Sequence, residues 1–286
     1  MNACPICSNQ SSELKYELAF AVYQCTKCRF QFCPEAAFDK SFISGLDEEA
    51  RDKALKQLRK DNFQKIIQSI NKYKTNNYKG LEVGCGYGWF LEVCKENFIE
   101  CKGIEPETRF NERYKTEGLN VTNGFYPNDL QADTKYDFIV FNDVIEHLPD
   151  LKAIMKTNYS LLNPGGLLII NLPVQEGLVY FFSKAAYVFG IKSFLNRMWQ
   201  FNFHSPHLSY FTKRNLIDFA SENNFYAEHY FKLKTINLSE ITDRIKQDNT
   251  QGILARFAIS MGVYFLYPFL QLFPDTFCFI FRKKEG

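Results

Sequence analysis

The sequence has almost no net charge, because 34 Lys and Arg stand against 32 Asp and Glu in 286 residues, which leaves +2. Since no basic excess would drive counterion release from phosphates, this balance argues against a general nucleic-acid binder. We expect no signal peptide, because Met1-Asn2-Ala3-Cys4 offers neither a charged nor an apolar leader. We therefore expect a cytoplasmic protein with reduced thiols. The sequence contains no internal repeat and no low-complexity tract, and its 46% of hydrophobic residues is ordinary for a globular protein.

Five of the nine cysteines lie within the first 33 residues. Cys4 and Cys7 form one C-x2-C pair, and Cys25 and Cys28 form a second pair after seventeen intervening residues. This spacing is typical of four-thiolate zinc sites, in which each pair presents two sulfurs to one ion. We predict a structural zinc ribbon, because four thiolates leave no open position for a catalytic water. Cys33 is either a substitute ligand or a small buried residue.

The rest of the chain alternates between short apolar runs and amphipathic stretches. Helical periodicity extends over residues 47–74, and further helical patterns lie at about 89–97, 108–117 and 151–162. The apolar runs, which we predict to be strands, are 80–83, 101–104, 136–141 and 167–172. Apolar strands that alternate with helices indicate a doubly wound, mainly parallel α/β sheet. Asn163-Pro164-Gly165-Gly166 predicts a turn that leads into the last of these strands.

The first of these strands ends in a glycine-rich turn, Glu82-Val83-Gly84-Cys85-Gly86-Tyr87-Gly88. Glycines permit a tight turn there and let a ligand approach the backbone beside the amides of the next helix. Twenty-one residues beyond Gly84, the next strand ends at Glu105, whose carboxylate can accept hydrogen bonds from both hydroxyls of a ribose. Trp89 stands where a dinucleotide fingerprint needs a third small residue. The turn therefore favours a nucleoside without phosphates.

Four motifs in this order resemble those of class I S-adenosylmethionine-dependent methyltransferases, in particular the group that includes the ubiquinone-biosynthesis-type enzymes. They are the glycine turn, Gly103-Ile104-Glu105-Pro106, the segment 136–148 with Asn142-Asp143-Val144 at its centre, and Asn163-Pro164-Gly165-Gly166. The resemblance covers roughly residues 50–235, with a final strand near 276–284. It implies a Rossmann-like, seven-stranded sheet and an enzyme that transfers a methyl group from S-adenosylmethionine.

The resemblance also implies roles for individual residues. Glu82 and the glycine turn would hold the methionine end of the cofactor, Glu105 would bind its ribose, and Phe125 would flank its adenine. The implied cofactor-binding residues are Glu82, Gly84, Cys85, Gly86, Tyr87, Gly88, Glu105, Pro106, Gly124, Phe125, Asn142, Asp143 and Val144. The alternatives are an ordinary strand-end carboxylate for Glu105 and a core aromatic for Phe125.

Catalytic candidates come from the loops after the fourth and fifth strands of the sheet, because ligands of open α/β sheets bind at the carboxyl ends of the strands. His147 directly follows the fourth strand, and the resemblance places His204 and His207 beside the acceptor pocket. Each of the three could take the proton of an acceptor hydroxyl. A structural role is the alternative for each of them, and we interpret His229, in a late strand, as structural.

Two apolar segments remain. Residues 174–211 are rich in aromatic side chains, and we interpret them either as a lid over the acceptor or as extra core. Residues 253–273, within an insertion at 250–274, contain few polar side chains and approach the length of a membrane span. Pro268 and the strand expected after it argue against a span. A buried helix and a peripheral contact with the membrane both stay open for this segment.

We therefore predict a zinc ribbon over residues 1–40 and a methyltransferase domain over residues 48–286, located in the cytoplasm and at most peripheral to the inner face of the membrane. The expected acceptor is a small molecule. The resemblance implies a hydroxyl of a nucleotide-linked sugar or of a precursor of a surface polysaccharide or secondary metabolite. The second hypothesis is a lipid-linked or quinone-like acceptor at the membrane, and the third is ribbon-directed modification of a macromolecule. We expect no nucleic-acid partner.

Overall fold

The computed structural model describes residues 2–36, 48–73, 78–130, 134–235, 261–262, 265 and 267–285. Its strands are β1 (Ser12–Glu17), β2 (Ala21–Cys25), β3 (Gln31–Phe32), β4 (Lys79–Val83), β5 (Glu100–Glu105), β6 (Val121–Asn123), β7 (Tyr136–Asn142), β8 (Leu162–Pro173), β9 (Ser209–Tyr210), β10 (Phe225–Lys232) and β11 (Thr276–Lys283). Its helices are α1 (Glu48–Ile70), α2 (Trp89–Glu96), α3 (Asn111–Glu117), α4 (Leu151–Leu161), α5 (Leu178–Val188), α6 (Ser193–Met198) and α7 (Lys213–Glu222), and short 3-10 turns lie at Thr108–Phe110 and Ile145–His147.

The chain divides into two compact units. The first unit contains Met1–Arg59, Pro173–Lys213 and Lys232–Thr276, and the second contains Lys60–Leu172, Arg214–Phe231 and Phe277–Gly286. The segment predicted as a lid therefore belongs to the same unit as the predicted ribbon, and not to the unit that carries the glycine turn.

The second unit is built on a seven-stranded sheet in the order β10-β11-β8-β7-β4-β5-β6. β4 pairs in parallel with β5 on one side and with β7 on the other. The first strand of this sheet along the chain, β4, lies in the middle of it. The next strands, β5 and β6, lie on one side of β4, and β7 and the later strands lie on the other side. This reversal creates a crevice at the carboxyl ends of β4 and β7. The predicted doubly wound α/β fold with seven strands is confirmed.

The inner strands of this sheet have the apolar sequences of strands that are covered on both faces. Phe138, Ile139, Val140 and Phe141 in β7 are all fully buried. Gly80 in β4 lies directly against the Phe138 ring, since a Cβ atom at position 80 would come within 1.9 Å of it. The close approach of β4 and β7 thus requires a glycine at this position.

One boundary differs from the sequence-based expectation. Asn163-Pro164-Gly165-Gly166 was expected to form a turn before the strand, and it lies within β8 instead. Tyr136 of β7 pairs with Leu162, and Phe138 pairs with Leu167, so the four residues between them bulge out of the ladder. Gly165 adopts a φ of 64°, which favours glycine, and a proline is tolerated in a bulge because no ladder hydrogen bond needs its nitrogen.

The first unit contains a smaller sheet in the order β1-β2-β3-β9. β1, β2 and β3 form the antiparallel ribbon, whereas β9 comes from the segment predicted as a lid. Gln31 of β3 pairs with Tyr210, and Phe32 pairs with Ser209. The ribbon sheet is therefore completed by residues that lie 179 and 177 positions further along the chain. A two-residue strand has no periodicity, and so the sequence did not indicate this pairing.

The helices α5 and α6 form a helical hairpin, residues 178–198, in the same unit. Asp275 caps the first turn of α5, because its carboxylate accepts hydrogen bonds from the amides of Val179 (3.2 Å) and Tyr180 (3.0 Å). Asp275 is buried, and burial raises the pKa of its carboxyl group. Gly177 leaves room for this carboxylate, since a Cβ atom there would lie 2.1 Å from the Asp275 Oδ1.

Among the residues described, no helix combines the length and the apolar character that crossing a bilayer requires. Residues 253–260, 263, 264 and 266 of the predicted apolar segment lie outside the described residues.

Replacing Asp275 by alanine removes both acceptors from the first turn of α5. We expect Asp275→Ala to lower the free energy of unfolding by about 1–2 kcal/mol, measured by urea denaturation. Asp275→Asn keeps one carbonyl acceptor and should cost less. Asp218→Ala, which removes an exposed carboxylate from α7, is the control. Equal stability of Asp275→Ala and the wild type would contradict the capping role.

Candidate functional site

Polar side chains collect at the carboxyl ends of three neighbouring strands in the second unit. Glu82 lies next to the end of β4, Glu105 is the last residue of β5, and Asn142 is the last residue of β7. This edge holds the crevice that the strand order creates, and open α/β sheets bind their ligands at this place. The predicted cofactor residues therefore come together at one edge.

The glycine turn after β4 combines tight packing with an open backbone. The Gly84 amide donates to the Ile104 carbonyl (2.8 Å), and a Cβ atom at Gly84 would lie 2.8 Å from a methyl group of Val144. Gly84 has a φ of 66° and Gly86 a φ of 49°, the region that favours glycine. A Cβ atom at Gly86 would meet nothing within 4 Å. The backbone at Gly86 is thus accessible to a ligand.

Glu105 is held in a fixed orientation by two backbone amides. Gly86 donates to its Oε2 atom (2.9 Å) and Glu107 donates to its Oε1 atom (2.9 Å). The side chain is buried, and burial raises the pKa of the Glu105 carboxyl while these two hydrogen bonds oppose the shift. Each carboxylate oxygen can accept more than one hydrogen bond, so Glu105 retains acceptor capacity for a pair of ligand hydroxyls.

Glu82 belongs to a series of hydrogen-bonded side chains that runs across the sheet from β4 to β8. Asn142 donates from its Nδ2 atom to the buried Glu82 Oε1 (2.9 Å). The side-chain Nδ2 atom of Asn171 donates in turn to the Asn142 Oδ1 (3.5 Å). The Asp143 amide donates to the Asn171 carbonyl (2.9 Å). Asp143 adopts a φ of 54°, a conformation that is uncommon outside glycine and clusters at functional sites. Asn171, in β8, was not among the predicted site residues.

Two residues of α3 hold the glycine turn from outside. Arg113 donates from Nε to the Tyr87 carbonyl (2.9 Å) and pairs with Glu92 of α2. The Tyr114 hydroxyl donates to the Gly86 carbonyl. Neither residue was predicted, because an arginine and a tyrosine on an amphipathic helix give no spacing signal of their own.

Cys85 contributes its backbone and not its thiol to the exposed side of the turn. Its side chain is buried, and burial raises the pKa of the thiol well above its ordinary value. Gly103 of β5 makes room for the sulfur, since a Cβ atom there would lie 2.6 Å from the Cys85 Sγ. Tyr87 stacks on the buried Trp89 ring, with centroids 4.8 Å apart and an angle of 9° between the planes. Trp89 therefore packs under the turn.

The residues expected near an adenine follow β6. The Gly124 amide donates to the Glu105 carbonyl (3.0 Å), which places this loop beside the ribose candidate. The Phe125 amide donates to the Asp129 carboxylate (2.7 Å), and the Phe125 side chain is exposed. Phe125 is thus available to a ligand and is not a core aromatic.

The candidate histidines are divided between the units. His147 ends the 3-10 turn that follows β7 and is partly buried in the second unit. Glu146 beside it is fully buried, and burial, with a further contribution from the Asp143 charge, raises the pKa of its carboxyl well above the ordinary value. His204 and His207 belong to the first unit, where the His207 amide donates to the Trp199 carbonyl (2.9 Å).

The four cysteines of the ribbon converge on one point. Cys4 and Cys28 have sulfurs 3.6 Å apart, as do Cys7 and Cys25, and all four sulfurs lie within 4.8 Å of one another. A tetrahedral zinc with Zn–S bonds of about 2.3 Å requires sulfurs about 3.8 Å apart, so this arrangement fits the ion. Asn9 approaches the Cys25 sulfur with its Nδ2 atom (3.6 Å), as hydrogen-bond donors around metal ligands do.

Comparison with known proteins identifies relatives of this chain. A curated relative, the tRNA U34 carboxymethyltransferase of Nautilia profundicola, is 28% identical over an alignment of 109 residues, and the match covers 34% of this chain and 35% of that protein. The match thus spans about a third of the relative's length.

Two solved structures show the same fold. An S-adenosylmethionine-dependent methyltransferase from Thermotoga maritima has a TM-score of 0.53 at 17% identity, with 84% of this chain and 95% of that chain covered. The cyclopropane synthase MmaA2 of Mycobacterium tuberculosis has a TM-score of 0.54 at 15% identity, with 76% and 84% covered.

A family model described as a methyltransferase domain matches residues 48–230, which is more than half of the chain. The prediction of a class I S-adenosylmethionine-dependent methyltransferase is confirmed. The chain belongs to this methyltransferase domain family and is an S-adenosylmethionine-dependent methyltransferase.

Proposed function

We propose that this enzyme methylates a hydroxyl group of a small-molecule acceptor, with the cofactor bound at the carboxyl ends of β4, β5 and β7. The observation that carries the placement of the cofactor is the Glu105 carboxylate, which two amides orient beside a glycine turn whose backbone is open at Gly86. A pair of vicinal ribose hydroxyls suits such a carboxylate. When bound, S-adenosylmethionine supplies a methyl group on a sulfonium, which is a good leaving group.

The other site residues have roles that follow from their positions. Glu82, buried and bonded to Asn142, offers a negative charge to the amino group at the methionine end of the cofactor. Phe125, exposed after β6, offers a flat apolar surface to the adenine. Since the sulfonium already activates the methyl group, the main task of the protein is to align the acceptor with it.

An acceptor hydroxyl must lose its proton when its oxygen forms the new bond to carbon. We assign the acceptance of this proton to His147, or to His204 or His207 from the first unit, because an imidazole titrates near neutral pH. The near-neutral charge of the chain favours a small molecule over a polyanion. A nucleotide-linked sugar, or a precursor of a surface polysaccharide or secondary metabolite, is the acceptor class that we propose.

We also propose that the four-cysteine cluster holds one structural Zn²⁺. The sulfur spacing supports this assignment, and a closed set of four thiolates leaves no position for substrate or water. The metal would link the segment before β1 to the end of β2 and the turn after it, and its binding would contribute to the folding free energy of the ribbon.

Glu105→Gln should weaken S-adenosylmethionine binding by about tenfold to a hundredfold, since it removes the charge from two hydrogen bonds to the ribose. Only the ionised carboxylate accepts both bonds. Because burial raises the pKa of Glu105, wild-type affinity should fall on acidification at a higher pH than for an ordinary glutamate. Titration calorimetry as a function of pH measures both effects.

Glu100→Gln is the matched control, because Glu100 lies at the opposite, amino-terminal end of the same strand and is exposed. It should leave affinity and pH dependence unchanged. Wild-type affinity in Glu105→Gln would contradict the ribose assignment.

Purified protein should contain one zinc ion per chain by elemental analysis. Cys28→Ser should lose the ion, whereas Cys33→Ala, which changes a buried cysteine outside the cluster, should keep it. Binding of S-adenosylmethionine should persist in both variants, because the proposed cofactor residues all lie in the second unit. Full zinc content in Cys28→Ser, or a wild type with clearly less than one ion, would rule the site out.

Methyl-deuterated S-adenosylmethionine, incubated with the enzyme and cell extract, identifies the acceptor. We expect mass spectrometry to find the label in the water-soluble small-molecule fraction. Label in the lipid fraction or in RNA, the latter being the acceptor class that the Nautilia relative's name specifies, would contradict the proposed acceptor.

Once the acceptor is identified, removal of the histidine that acts as base should lower turnover by about a hundredfold or more without changing cofactor affinity. His229→Ala, in β10, is the control.

A further inference from the structure

The hairpin of α5 and α6 presents an apolar tip to solvent. Phe189, at the end of α5, is 83% exposed, and Val188 before it is 80% exposed. Ile191, after the turn, and Phe194, in α6, are exposed as well. Single exposed apolar side chains are normal, whereas several large ones that lie together on the surface mark an interaction site.

The opposite side of the hairpin is anchored in the first unit. Tyr180, Leu195 and Trp199 are fully buried and pack in one cluster with residues of the ribbon sheet. The Tyr187 hydroxyl accepts a hydrogen bond from the Glu17 amide (3.0 Å), and the Asn196 Oδ1 accepts one from the Ala19 amide (2.9 Å). The hairpin therefore has one face that serves as core, and its tip is held away from that core.

The charged side chains of the hairpin itself are all basic. Residues 177–217 contain no Asp or Glu, whereas Lys184, Lys192 and Arg197 all lie in the hairpin. Lys192 is exposed next to Ile191, and Arg197 is exposed on α6. The whole chain is nearly neutral, so this cationic segment is a local feature.

Another group of exposed apolar side chains lies in the segment that contacts the base of the hairpin. The Leu178 amide, at the start of α5, donates to the Phe273 carbonyl (3.2 Å). Phe269, Leu272 and Phe273 are exposed. These residues belong to the segment 253–273, for which the sequence left a peripheral membrane contact open, and they extend the apolar surface of the first unit.

We propose that the tip of the α5–α6 hairpin docks on an anionic membrane surface. Phe189 and Ile191 enter the boundary between headgroups and acyl chains, while Lys192 and Arg197 contact lipid phosphates. An apolar apex with cationic residues beside it is the arrangement of interfacial membrane anchors, in which long basic side chains reach the headgroups. A soluble partner would instead need a groove to receive the apex. The proposal does not depend on the identity of the acceptor.

Flotation with vesicles tests the proposal on the full-length protein. Wild-type protein should float with vesicles of phosphatidylcholine and phosphatidylglycerol, and much less with phosphatidylcholine alone. The double variant Phe189→Ser and Ile191→Ser should lose binding by at least about tenfold. Lys192→Glu should weaken binding to the anionic vesicles only, because it removes an attraction between a basic side chain and negatively charged lipid headgroups.

Phe98→Ser is the matched control, because Phe98 is 99% exposed in the second unit, outside the hairpin. It should float like the wild type. The free energy of unfolding, measured by urea denaturation, should be unchanged in every variant, which verifies folding of the first unit as well as of the second. The proposal is overturned if the wild type does not float with anionic vesicles, or if the double variant floats as well as Phe98→Ser does.

Light scattering without vesicles tests the competing explanation, in which a second copy of the chain covers the tip. A wild-type dimer that becomes a monomer in the double variant would overturn the membrane assignment in favour of self-association. Equal masses for the wild type and the double variant, together with flotation of the wild type alone, support the proposal.

Discussion

The hydrogen bond from the Gly86 amide to the Glu105 carboxylate joins the glycine turn to the end of the neighbouring strand, and the proposed cofactor site depends on it. The parallel register of β4 and β5 makes this bond possible, because Val83 lies beside Ile104 and the chains leave the sheet together. A buried carboxylate without partners would be costly. The amides of Gly86 and Glu107 offset that cost and, in doing so, fix the direction in which the remaining lone pairs of Glu105 point.

Spacing in the sequence predicted this part of the site because local geometry determines it. A strand, a tight turn, a helix and a second parallel strand need about the number of residues that separates Gly84 from Glu105, so the two ends must meet. Asn171 and Arg113 escaped prediction for the opposite reason. Each reaches the site through pairing or packing between distant elements, as in the contact of Asn171 with Asn142, and no fixed spacing records such a contact.

The aromatic segment shows a different limit of sequence-based reasoning. Its Phe and Tyr residues were interpreted either as a lid over the acceptor or as extra core, and the structure shows that some of them are buried in a core and others are exposed. Tyr180 of α5 packs in one cluster with residues of the ribbon sheet and Ser183 is buried, while Phe181 and Phe182 are exposed. Residues three positions apart lie on the same face of a helix, so burial in α5 does follow the helical period. The sequence does not show it, because aromatic residues lie on both faces and the two faces therefore do not differ in polarity.

The four-cysteine cluster gains a wider role from the pairing of β3 with β9. The Cys33 amide donates to the Leu208 carbonyl (2.9 Å), and Gln31 pairs with Tyr210, so the ribbon fixes the chain on both sides of Ser209. His207 lies immediately before this pairing, and the hairpin packs on the same sheet. A metal at the start of the chain would therefore hold in place both a candidate catalytic histidine and the proposed membrane contact. The segment 173–213 uses the ribbon as its supporting sheet, so this pairing joins two stretches that lie far apart in the sequence into one compact unit.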